Sequence, residues 1–185
     1  MSDEVTLQEV NDKLPPIPDG LFDKANSLAN ILNSPNLMLG KKLEAVYTYL
    51  EEFKAYIGKY ASCSRGCSFC CNMDVQITTL EAEYIHVNTG VPLKRGKSIT
   101  TGHTNQCPFL SSSGSCTIYQ FRPMPCRFLF AFGEPENCAH GKLQIQYGVQ
   151  AAGFGNPIFK QLIMWVHSQV IHGGGELRDI RDYFA

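Results

Sequence analysis

No stretch of this 185-residue chain is apolar for long enough to cross a bilayer. A dense run such as Phe128 to Phe132 covers about a quarter of the roughly 20 residues that a span needs. Charge of either sign is not in excess either. Sixteen basic and 17 acidic residues leave a net charge of −1, so the electrostatic footprint of a nucleic-acid or anionic-membrane binder is missing. No apolar h-region follows Met1-Ser2-Asp3-Glu4; a secretory signal is not expected, and the cytoplasm is the expected compartment. Disorder is excluded from the other direction, because 44% of the residues are hydrophobic and 18% charged, a balance that suits one domain with a sizeable core. Cysteine is absent from the first 62 residues and from the last 47. All eight cysteines lie between.

They stand at 63, 67, 70, 71, 107, 116, 126 and 138. An even count is compatible with a disulfide framework, but such frameworks belong to small secreted chains, and adjacent Cys70 and Cys71 make strained partners. Metal ligation is the expectation. Cys63-Ser64-Arg65-Gly66-Cys67-Ser68-Phe69-Cys70-Cys71 places four thiols within nine residues. A loop of that kind turns several sulfurs toward one centre, where a helix or strand would splay them. Gly66 allows the tight backbone such a loop needs. The spacing of Cys63, Cys67 and Cys70 suits three ligands of one [4Fe–4S] cluster, with the fourth from Cys126 or another downstream thiol. Zinc also accepts four thiolates, and eight cysteines divide into two tetrahedral sites. The metal stays open at this point.

Around this region the chain reads as helices. Pro15-Pro16 and Pro18-Asp19-Gly20 mark an arm, and a helix is expected from about Leu21 to Leu32, closed by Asn33-Ser34-Pro35. Leu43, Val46, Leu50, Phe53, Ile57 and Tyr60 recur at spacings of three and four, which predicts a core-facing helix that delivers the chain into Cys63. Val75 to Ile77 alternates like a brief strand. Thr78 and Glu81 then form a capping box for a short helix with Leu80, Tyr84 and Val87 on its apolar side. Cys107–Leu110 and Cys116–Tyr119 flank Ser111-Ser112-Ser113-Gly114-Ser115 as a β-hairpin, and the prolines of Arg122-Pro123-Met124-Pro125 break any helix there. Asn156 and Pro157 open a last long helix bearing Ile158, Phe159, Leu162, Ile163, Trp165, Val166 and Val170. Gly173-Gly174-Gly175 stops it before a short terminal helix within 176–184.

At the motifs CSRGCSFCC (63–71), ITTLEAEYI (77–85), CPFL (107–110) and CTIYQFRPMPCR (116–127), with Cys138 ahead of Tyr147-Gly148, the chain resembles the CxxCxxCC, or YkgJ-like, cysteine-cluster family of zinc- or iron-chelating proteins. One departure is that three residues, not two, separate Cys63 from Cys67. Roughly the first 60 and the last 35 residues lie outside the likeness. The resemblance implies that all eight cysteines are metal ligands, and that Arg122, Pro123 and Arg127 match the family's RPxxCR element. A thiolate-bound centre is anionic, so Arg122 and Arg127 are expected beside it, offsetting its charge, with Pro123 fixing the turn that aims Cys126. Larger relatives, the flagellin lysine methylases, are associated with a [4Fe–4S] cluster, which tips the expectation toward iron.

Other signals carry less. Cys63, Cys67 and Cys70 also match the radical-SAM triad, but no run of alternating strands and helices accompanies them. Gly90 to Ser98 has one residue too many for a phosphate loop, and Gly153-Phe154-Gly155 lacks a third glycine. His103 and His140 are possible replacements for a thiol, whereas His167 is expected to be structural. Tyr47, Tyr49, Tyr56 and Tyr60 read as a packing surface. The expectation is therefore an α+β, mainly α, single domain. It comprises an arm and helices (1–60), a metal-stapled cysteine-rich lobe (61–149) and C-terminal helices (150–185), the lobe being too poor in apolar residues to fold alone. The function expected is metal binding, with an iron–sulfur centre and a redox or metal-handling role, and with a protein or redox partner as the contact. The alternatives are a zinc-stapled interaction module and a cluster-dependent methyltransferase-like enzyme.

Overall fold

The computed structural model describes residues 16–63, 66–94, 96, 100–132, 145–147 and 157–184, the segment 145–147 by its backbone. Cys138, His140, Asn156, Gly153–Gly155 and the first fifteen residues lie outside these. In chain order the elements are α1 (Asp19–Asn33), α2 (Leu39–Ile57), β1 (Gln76–Thr78), α3 (Thr79–Thr89), the one-turn helix α4 (Pro125–Phe128), β2 (Phe130–Phe132), β3 (Ile145–Tyr147), α5 (Pro157–Gly173), β4 (Leu177–Asp179) and α6 (Ile180–Phe184). Two short 3₁₀ turns, Phe69–Asn72 and Tyr119–Phe121, lie within the cysteine-rich stretch. The fold is α+β and mainly α, as the sequence predicts. No described helix is long and apolar enough to cross a membrane.

Two apolar clusters organise the chain. The first is built on α2, whose Leu43, Val46, Leu50, Phe53 and Ile57 are no more than 1% exposed. Leu21 and Leu28 of α1, Leu162 and Val166 of α5, and Met124, Phe130 and Phe132 pack onto it. Each fully buried side chain of this size contributes about 1.5–3 kcal/mol. Tyr60 is the exception to the predicted stripe: the helix stops at Ile57, Gly58 caps it, and Tyr60 is exposed beyond its end. Glycine, the poorest helix former after proline, accounts for the early stop.

The second cluster is smaller: Ile77, Ala82, Ile85, Phe109, Ile118, Ile180 and Tyr183, with Cys107 and Cys116 packed against it. Helix α3 stands between the two. Its capping box is formed as predicted, Thr78 accepting from the Glu81 amide while the Glu81 carboxylate accepts from the Thr78 amide. Leu80 and Tyr84 face the first cluster and Ala82 and Ile85 the second. A helix packed on two sides has no single apolar stripe, and Val87, expected on that stripe, points to solvent at 79% exposure.

The predicted 107–119 hairpin reduces to one antiparallel bridge, Leu110 with Cys116: Thr117 donates to the Phe109 carbonyl (2.8 Å), but the Phe109 amide that would return the bond is turned to the Cys107 sulfur. Pro125, expected only to break structure, starts α4 at its first position, where a missing amide costs nothing. The C-terminal segment returns to the lobe: β4 pairs antiparallel with β1, Ile77 opposite Arg178, and α6 places Ile180 and Tyr183 in the second cluster.

Candidate metal centre

The first cysteine loop leaves α2 and is tied at once to β2. Ser62 donates its amide to the Ala131 carbonyl (2.8 Å), and the Ala131 amide donates back to Cys63 Sγ (3.4 Å). Gly66 then turns the chain at φ +93°, a left-handed conformation that costs glycine little. Cys70 and Cys71 sit on the following 3₁₀ turn. The Cys71 carbonyl accepts from the Cys107 amide (2.8 Å), which fastens the second cysteine segment to the first. Cys126 rides on α4, its amide bonded to the Pro123 carbonyl (3.1 Å).

The seven described cysteines are free thiols: Cys63, Cys70 and Cys126 are exposed, and Cys67, Cys71, Cys107 and Cys116 half-buried. Their charges couple them into one set. Cys63 senses Cys67 and Cys70; Cys71 senses Cys70, Cys107 and Cys126; Cys126 senses Cys70, Cys107 and Cys116. Burial raises the Cys63, Cys107 and Cys116 thiols, and backbone N–H groups work against it: Ala131 at Cys63, Phe109 at Cys107, Ile118 at Cys116. An amide aimed at sulfur favours the thiolate, the form that binds metal. Within the vicinal pair the Cys71 thiol donates to Cys70, which lowers Cys70 to about 7 while Cys71 is pushed up. Cys126 presents surface to solvent, yet desolvation is the first cause driving its thiol well above the ordinary range.

Four thiolates on one zinc, each about 2.3 Å from it, stand about 3.8 Å apart. Cysteines on a [4Fe–4S] cluster are farther apart, because each binds a different iron. Among the described residues, the trio of ligand atoms within 4.8 Å of one another is Asp74, His103 and Asp179, not three thiols. A soft, all-sulfur donor set with amide support fits iron–sulfur or zinc chemistry.

Arg122 and Arg127 are almost wholly buried, and their hydrogen bonds go to oxygen. Arg122 donates through Nε to the Cys126 carbonyl (3.1 Å), Nη1 to Tyr119 O (2.8 Å) and Nη2 to Glu51 Oε1 (2.6 Å). Arg127 donates through Nε to Arg122 O (2.7 Å), Nη2 to Gln120 O and Nη1 to Glu51 Oε1 (2.8 Å). The Arg122 charge still lowers Cys116 and Cys126. A third buried arginine, which the motifs did not reveal, braces the lobe from the C-terminus: Arg181 donates to the carbonyls of Cys71 (3.1 Å), Met73 (3.1 Å) and Asn105 (2.8 Å), and pairs with Asp179. Glu81 is equally buried and accepts from the Met124 amide (2.8 Å) and the Tyr47 hydroxyl (3.3 Å).

His103 does not reach the thiols through any of its ring contacts. Its Nδ1 meets Asp74 (2.9 Å) and its Nε2 meets Thr100 (2.6 Å), with Asp182 at 3.6 Å. Asp74 also takes the amides of Gly102 and His103, and Asp179 takes those of Val75 and Arg181, so these carboxylates serve a hydrogen-bonded network. Two surface cavities, of about 120 and 460 Å³, flank α3 and have no cysteine in their walls.

Residues 62–145 match the model of the CxxCxxCC family, described as "Putative zinc- or iron-chelating domain". This bears out the resemblance and takes in all eight cysteines. No curated protein and no solved structure matches the chain.

Proposed function

We propose that this chain, proceeding from its cysteine-cluster domain, holds a [4Fe–4S] cluster on Cys63, Cys67, Cys70 and Cys126 and serves in electron transfer or metal handling. One observation supports the reading: Cys70 lies close enough to both Cys63 and Cys126 for its charge to raise each thiol, and the loop that carries it turns at Gly66 and is tied by backbone to β2 and to Cys107, so sulfurs far apart in sequence face one region, as a cluster's ligands must. When bound, such a cluster supplies one-electron chemistry at a potential set by its charge, hydrogen bonds and exposure. The chain's own contribution is to gather the sulfurs, to aim amides at Cys63, Cys107 and Cys116 against the effect of burial, and to keep Cys63 and Cys70 at the surface, where a redox partner reaches them. Zinc is the second reading. Its specific support is the pair Cys107 and Cys116, each with an amide donor two residues on, an arrangement that suits a structural zinc as well.

Protein made with iron supplied and purified without oxygen separates the two. A cluster gives brown protein with broad absorbance near roughly 400 nm that bleaches on reduction. Zinc is redox-silent and colourless. A colourless, zinc-replete, folded product overturns the iron reading. A folded product holding neither metal, with all thiols freely titratable, overturns both.

A further inference from the structure

Glu51 lies on α2, eleven residues ahead of the segment that matches the family, and its side chain is 41% exposed. A surface glutamate on a helix ordinarily has no assignment. This one accepts two guanidinium groups on a single oxygen, Arg122 Nη2 at 2.6 Å and Arg127 Nη1 at 2.8 Å, from side chains only 6% and 3% exposed. Two neighbouring buried cations repel, and the one carboxylate between them offsets both. Their remaining donors hold the carbonyls of Tyr119, Gln120, Arg122 and Cys126, so both arginine anchors of the turn leading into Cys126 meet on Glu51. The planes are held from the other side by aromatic faces, Arg122 over Tyr119 at 3.9 Å and Arg127 over Tyr47 at 4.1 Å.

We propose that Glu51 is a positioning residue for Cys126, holding that thiol among the others through Arg122 and Arg127. This rests on the metal-centre reading above. The rest of the segment is anchored without Glu51: Met124 and Phe130 are buried in the first cluster and the Met124 amide is bonded to Glu81. What Glu51 adds is local to the 119–127 turn. Its loss therefore frees Cys126 and leaves Cys67 and Cys70, carried by a different loop, where they are. Glutamine at 51 keeps an oxygen that accepts from both arginines and removes only the charge, so it restores part of the position that alanine abolishes.

The test is per-thiol alkylation by iodoacetamide, read by mass spectrometry on the metal-loaded full chain prepared without oxygen. Four proteins are compared: wild type, Glu51→Ala, Glu51→Gln, and Glu44→Ala as a control that breaks only the exposed Lys41 pair. In Glu51→Ala, Cys126 is modified about tenfold faster, the scale on which outer-shell partners tune metal sites. Cys67 and Cys70 stay protected, and Glu51→Gln falls between Glu51→Ala and the control. If Glu51→Ala yields no folded protein, Glu51→Gln is judged alone, by whether Cys126 is modified faster than Cys67 and Cys70. Protection of Cys126 equal to that in the control overturns the proposal, and so does equal loss of protection at every thiol, which marks general loosening. A wild-type chain that takes up no metal overturns the centre itself and this proposal with it; a loaded wild type with unaffected variants overturns this proposal alone.

Discussion

The helical half and the cysteine lobe are held by different physics. Around α2, stability comes from apolar side chains excluded from water, Phe53 and Ile57 at 0% exposure among them. Such burial is non-directional and tolerates any partner of the right shape. The lobe has a small apolar cluster, with Arg178, Asp179 and Arg181 buried on the C-terminal strand and helix beside it, and Glu81, Arg122 and Arg127 buried where the lobe meets α2. Buried ions demand specific partners in specific places, and their net contribution to stability is small or negative against a packed apolar substitute. What they secure here is position: most of the guanidinium donors of Arg122, Arg127 and Arg181 end on backbone carbonyls of the turns that carry cysteines. The lobe is arranged to present sulfur, and the helices are arranged to be stable beneath it.

The contrast breaks most visibly at the two centres. Cys67→Ser or Cys70→Ser should remove most of the metal and expose the lobe amides to hydrogen exchange while α1 and α2 stay protected. Phe53→Ala should do the reverse, costing about 3–5 kcal/mol of global stability in denaturant titrations while leaving the metal content of the folded fraction unchanged. Metal lost equally in both kinds of variant would mean that the two halves fold as one unit.

A smaller effect is expected at Arg181. Alanine there leaves buried Asp179 without its arginine partner, with His103 at 3.8 Å, a loss of about 3 kcal/mol or more. It also releases the Cys71 and Asn105 carbonyls, so metal should leave to a chelator faster than from wild type. Unchanged release with lowered stability would make Arg181 a part of the fold alone.

The smallest effect is the pH dependence of the network around His103. The hydrogen bond to Asp74 is the largest cause raising the His103 pKa above its ordinary 6.5, with Asp179 and Asp182 adding to it. A raised pKa gives stability that is complete below pH 6.5 and fades as pH climbs through the folded-state value. Asp74 is lowered from 3.8 to about 2, first by the Gly102 amide and next by His103, so its contribution is complete above 3.8 and disappears as pH falls toward 2. Stability from this network should thus be flat between about pH 4 and 6.5 and decline on either side. His103→Gln should remove the alkaline decline in a series of thermal melts, and a decline that persists would assign it to another group.

Much of the candidate centre was legible because thiols this close in sequence have few ways to stay apart in space. Gly66 is left-handed as its tight loop requires, and Cys107 is bonded to the carbonyl of Cys71. The α2 stripe and the Thr78–Glu81 box were equally legible, because each depends on residues three or four positions apart. The motif arginines were read as neighbours of sulfur that offset its charge, and the Arg122 charge does lower Cys116 and Cys126, though not through bonds to sulfur. Their hydrogen bonds go instead to carbonyls and to Glu51, whose separation from Arg122 and Arg127 is 71 and 76 residues.

By itself, then, the sequence determined the helices other than α4, the capping box, the clustering of sulfur and the match of residues 62–145 to the cysteine-cluster family. Each of these follows from local spacing and residue chemistry. Only the tertiary structure decided that Val87 faces water, that Arg181 braces the Cys71 loop from 110 residues away, and that a surface glutamate on α2 holds the turn bearing Cys126. Periodicity tells which residues leave water, but the partner of a buried charge is whichever opposite charge the packed chain brings within reach, and no local pattern encodes that.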